Sequence, residues 1–159
     1  MSFLANAPTP TVTESPAEAI VTNGTWFPPV DPKAVREASR LDGTVTSQRL
    51  RQSIINAIHS VNLELAVYRA TKLLDGYETL AAVPADQVDG ASIKVHCYLR
   101  AVYACVQADL VERYRDHDTT GAGDKDADQL IQRADELRRD MRWAISDLLG
   151  IGRSTVELI

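Results

Sequence analysis

The sequence predicts an all-α protein: a bundle of three to four helices with an extended N-terminal arm and a short, strand-like C-terminal tail. Two patterns carry this. Apolar residues recur in steps of 3 and 4 over residues 50–68 and again over 127–148, the repeat of one helix face. Alternating strand periodicity is almost absent, and only the last few residues show it. A third observation sets the scale. With 159 residues, 45% hydrophobic and 25% charged, the chain has the balance of one globular domain with one core.

Residues 1–25 are rich in Pro, Thr, Ala and Ser and carry few large apolar side chains. Such a segment buries too little surface to offset its ordering entropy, so a flexible arm is expected there. It has no basic start and no long apolar run, unlike a secretory leader. Trp26-Phe27-Pro28-Pro29-Val30 then brings aromatics and prolines together. Trp26 and Phe27 fit either a segment packed across the body or an anchor on a neighbouring subunit. They are therefore candidate interface residues.

Asp31-Pro32 is a helix start, with an N-cap acid and a proline in the first turn. The helix it opens should end near Gly43. Thr44 or Thr46 can cap a second helix running to Asp75, whose inner face is Leu50, Ile54, Ile58, Val61, Leu65 and Tyr68. Its expected length, roughly 43 Å, exceeds what a compact body needs. Such a helix projects beyond the core or packs against neighbours.

Pro84 and Gly90 break the connection that follows. In residues 92–111, 14 of 20 side chains are apolar or aromatic and cover every face, the mark of a central helix. Lys94, His96, Arg100 and Asp109 direct that burial against protein, and no uncharged stretch long enough to span a membrane occurs. The last helix, Asp124 to Leu149, has the seam Ala127, Leu130, Ala134, Leu137, Met141, Ala144 and Leu148. Small alanines there permit close helix approach. Gly150 and Gly152 stop it, and Val156, Leu158 and Ile159 give the tail, residues 150–159, its strand-like alternation. They are candidate interface residues too, because a lone strand needs a partner edge. The body between arm and tail is residues 26–149.

The chemistry is sparse. Asp118-Thr119-Thr120-Gly121-Ala122-Gly123-Asp124 spells the phosphate-holding loop of ribokinase-type sugar kinases, in which Asp124 would be the base. Anions do favour helix starts, but that site needs a large α/β sheet, and this chain offers no βαβ alternation. Gly, Thr and Asp are equally what a helix–helix turn requires. Asp124-x-Asp126-x-Asp128 begins like a calcium loop, yet Gln129 stands where the turn needs glycine and Asp135 where a bidentate Glu belongs. His59, His96 and His117 have no companion ligands, and Cys97 and Cys105 fail any zinc spacing. The two cysteines are expected as buried thiols of a reducing, cytoplasmic compartment. No catalytic residue, metal or cofactor is expected. A net charge of −5 disfavours sequence-general binding to nucleic acid.

Several longer blocks carry a resemblance. "WFPPVDPKAVREASRLDGTVTSQRLRQSI", "LAAVPADQVDGASIKVHCYLRAVY", "ADLVERYRDHD", "GDKDAD" and "DELRRDMRWAISDLLG" resemble, in this order, the head completion protein family of Peduovirus-like temperate contractile-tailed bacteriophages. The likeness covers residues 26–159 almost continuously; His96-Cys97-Tyr98 departs from it where more aromatic residues are usual. It implies a structural role: binding the portal protein after DNA packaging, stabilising the filled head, and presenting the surface to which the tail joins through its terminator or completion protein. It further implies a self-assembled ring, a dodecamer matching the portal, through whose lumen DNA passes without specific binding. The protein would sit at the head–tail junction of the virion after assembly in the host cytoplasm, away from any membrane. Two other readings remain: a small phosphotransferase using Asp124, and a helical module that binds a host protein.

Overall fold

The computed structural model describes residues 18–39, 45–115 and 124–152. The protein is mostly helical. In chain order the described elements are α1 (Pro32–Ser39), α2 (Ser47–Glu64), α3 (Ala66–Leu74), a 3₁₀ turn (Leu80–Ala82), β1 (Gln87–Val88), β2 (Ala91–Ser92), α4 (Ile93–Arg115) and α5 (Asp124–Leu149). The two short strands form an antiparallel ribbon, Gln87 opposite Ser92 and Val88 opposite Ala91, turning at Asp89-Gly90.

The helix starts obey local chemistry. Asp31 Oδ1 accepts from the Lys33 N–H at 2.9 Å, with Pro32 as the first helical residue. Thr46 caps α2, its hydroxyl oxygen accepting from the Arg49 N–H at 3.3 Å. The other candidate cap, Thr44, and the expected end of α1 near Gly43 lie outside the described residues.

The single long helix expected from Thr46 to Asp75 is two helices. Leu65 has φ −92° and ψ 4°, outside helical values. The ladder still bridges the break: Leu65 N–H donates to Val61 O at 3.1 Å, and Arg69 N–H to Leu65 O at 2.9 Å. Leu65 is fully buried, whereas α3 beyond it has no buried residue. The core thus holds the chain at Leu65, and α3 lies on the surface beyond it, touching the core through half-buried Tyr68. Gly76, at φ 90°, closes α3 in the left-handed conformation, with Tyr77 N–H donating back to Lys72 O at 3.0 Å.

α4 is the central element. α5 packs along it most extensively and α2 next. Ala101, Ala104 and Ala108 on α4, with Ala134 and Ala144 on α5, are all buried, so this pairing is built from small side chains. Arg138 to Glu112 at 2.6 Å, the Arg100–Asp147 pair, and Lys94 Nζ to Leu148 O at 2.8 Å tie its rim. Between α2 and α4, Ser53 Oγ donates to Asp109 Oδ2 at 2.7 Å.

Residues 18–25, expected as the end of a flexible arm, belong instead to the packed body. Val21 and Val30 exchange both backbone hydrogen bonds, at 2.8 and 2.9 Å, and Val21 and Asn23 are buried. Polar neighbours supply the partners that composition alone leaves out. Glu18 pairs with Arg36 at 3.1 Å and accepts from Ser47, and Arg51 Nη1 donates to Ala19 O at 2.7 Å. Residues 1–17 of the arm lie outside the described residues.

Candidate functional site

Trp26 and Phe27, the aromatic members of the candidate interface, lie in this chain's own core, at 2% and 5% exposure. Phe27 stacks on Tyr98 with ring centroids 4.8 Å apart, and Trp26 meets Phe27 edge-on at 4.7 Å. The Trp26 indole N–H donates to Tyr77 O at 3.0 Å. Side chains so enclosed cannot reach a neighbour, which corrects their reading as an anchor on another subunit. Val156, Leu158 and Ile159 lie outside the described residues, as do His117 and the glycines of the 118–123 turn. Asp124 opens α5, the position expected for it.

The remaining candidates for chemistry are spread apart. His96 Nε2 lies 2.9 Å from Val88 O and fastens the ribbon to α4, while His59 is exposed on α2. Cys97 and Cys105 are free thiols, and burial pushes both above the ordinary thiol range. Among the described residues no three His, Cys, Asp or Glu side chains gather as a metal site, and no helix is long and apolar enough to cross a membrane.

What the described surface does present is shape and apolar area. Leu63, Val67 and Leu74 are 63%, 79% and 89% exposed, and with exposed Ala70 they step by 4, 3 and 4. They form a ridge on one face of the α2–α3 rod. The buried or half-buried Val61, Leu65 and Tyr68 occupy the opposite face. A second stripe at helical spacing, beginning at Leu63, was the signal in the sequence; the inner stripe through Tyr68 overshadowed it. The body also carries a groove of about 690 Å³ where α1, α4 and α5 meet. Leu99, Tyr103, Leu137 and Trp143 line it, with Arg100 and Asp140 beside them. Arg139 stacks over the Trp143 ring at 4.8 Å. These features suit macromolecular contact.

A family model described as phage head completion protein (GPL) matches residues 21–159. The chain is also 47% identical over 142 residues to the head completion/stabilization protein of Escherichia phage P2, a match spanning 89% of this chain and 84% of that protein. No solved structure matches.

Proposed function

Because the chain belongs to the phage head completion protein family, which is structural and not enzymatic, we propose that it acts at the portal vertex. It is a head protein of the virion. In this reading it binds the portal after DNA packaging, holds the filled capsid closed, and offers the surface on which the tail, through its terminator or completion protein, is attached. The observation that carries the reading is the reach of the likeness: the family match runs from Val21, which opens the described core, to the last residue. With it the phosphotransferase reading of Asp124 is set aside.

Physical features support the finer parts. Portal symmetry calls for a closed ring, and by analogy with head–tail adaptors a dodecamer. A closed ring requires heterologous contacts, one patch of each copy meeting a different patch of the next. Individually weak contacts that add through multivalency would let assembly in the host cytoplasm wait for the portal. A net charge of −5 keeps a lumen from gripping the DNA that must leave through it. The start of the 1–25 arm and the tail, residues 150–159, fit segments that order on a neighbour or on the portal.

Electron microscopy of lysates from a phage lacking this gene tests the role. The expected products are filled, tailless heads that lose DNA, restored by supplying the protein in trans. Normal tailed particles in its absence would refute the reading.

A further inference from the structure

We infer that the α3 ridge of one copy seats in the α1/α4/α5 groove of the next copy. This rests on the reading that the protein works as a ring at the portal vertex. It specifies which two surfaces of the chain meet.

The ridge is the anomaly to be explained. Leu63, Val67 and Leu74 expose most of their surface on the face turned away from this chain's own body. A monomer rarely leaves a contiguous apolar patch in water without an interaction to use it. The occupant is argued from the match of the two surfaces. Leu63 and Leu74 are eleven steps apart along α2 and α3, about 17 Å at helical rise. The α4 wall of the groove, from His96 to Gln107, likewise covers eleven steps and about 17 Å. One surface is a convex row of aliphatic side chains. The other is concave and holds two aromatics, Tyr103 and Trp143, the kind of side chain that anchors interfaces.

The two surfaces carry charges of both signs that can pair across the contact. Exposed Glu64 and Arg69 flank the ridge on its two sides. The groove presents Arg100 from α4 and Asp140 from α5. Glu64 is thus opposite in sign to Arg100, which also pairs with Asp147 of its own chain, and Arg69 is opposite in sign to Asp140. Because ridge and groove are different surfaces, every copy donates one and accepts the other. Such a contact can propagate head to tail and close into a ring at a suitable rotation.

Photo-crosslinking from position 67 in assembled phage particles tests this. Val67 is 79% exposed, so a photoreactive amino acid there leaves the core intact. The expected product is an adduct of two copies, whose joined peptide lies within residues 96–107 or 137–143 of the second copy. An adduct to residues 63–74 of the second copy, an adduct to another virion protein, or no adduct in particles that contain the chain would each overturn the inference. Those results leave the head-completion role standing. Absence of the wild-type chain from particles would overturn both. As a second variant, Val67→Glu is expected to melt like the wild type and to lose rescue of the gene deletion; full rescue would contradict the contact.

Discussion

The Tyr98 hydroxyl donates to Asn62 Oδ1 at 2.7 Å, joining α4 to α2 inside the core. Asn62 Nδ2 donates in turn to Asn23 Oδ1 at 2.8 Å, and Asn23 Nδ2 returns to the Tyr98 oxygen at 2.6 Å. The three side chains close a hydrogen-bonded cycle, and a second bond from Asn23 Nδ2 reaches Pro28 O at 3.2 Å. Bonds so chained polarise one another in a low-dielectric interior. The cycle pins the segment before α1 to the two helices behind it.

Tyr98→Phe removes the hydroxyl and keeps the ring stacked on Phe27. Two amides then lose a partner where water does not replace it, a cost of about 1–3 kcal/mol. Chemical denaturation should register that loss. In a double-mutant cycle Tyr98→Phe and Asn62→Ala should be clearly non-additive, and additivity would show that the cycle does not act as a unit.

Trp26→Ala distinguishes a core residue from an interface residue. Truncating a buried Trp costs about 3–5 kcal/mol. The isolated chain should therefore melt between about 6 and 20 °C lower. An unchanged melting temperature with lost assembly would instead return Trp26 to the interface.

The Ser47 hydroxyl holds the Glu18 carboxyl below its ordinary value of 4.5, with Arg36 and Lys33 adding to the effect against partial burial. A depressed folded value means that the stabilisation is complete above the ordinary value and is lost as the pH falls through the lower, folded one. For a partly exposed pair it amounts to under about 1 kcal/mol. Glu18→Gln should thus be less stable than wild type near neutral pH, and the gap should close in acid. A gap that persists unchanged in acid would rule out this carboxylate as its source.

Deleting the tail, residues 150–159, should leave helical circular dichroism and melting largely unchanged and should impair head completion in a rescue assay. Deleting 1–25 should destabilise the fold as well, because it takes Val21 and Asn23 out of the core. Full rescue by the 150–159 deletion would contradict a role for the tail.

Much of this was legible in the sequence because it depends on local chemistry. Thr46 and Asp31 mark helix starts by the hydrogen bonds their side chains make, and the all-round apolar α4 announces its central place. The small seam residues Ala134 and Ala144 likewise announce a close helix pairing. The break at Leu65 was not legible, since no Gly or Pro marks it; it comes from the core holding one residue while the next turn leaves. The packing of residues 18–25 was not legible, because composition counts apolar residues but not partners. Glu18, Ala19 and Asn23 are held by Arg36, Ser47, Arg51, Asn62 and Tyr98, most of them far along the chain. The groove was hidden for the same reason, as it exists only once α1, α4 and α5 are assembled.

The central claim is that this protein is built into the virion at the portal vertex. Quantitative mass spectrometry of purified particles measures it most directly, by comparing its copy number with that of the portal protein. Equal copies are the predicted result. Absence from the particles, or a copy number that follows the major capsid protein, would contradict it.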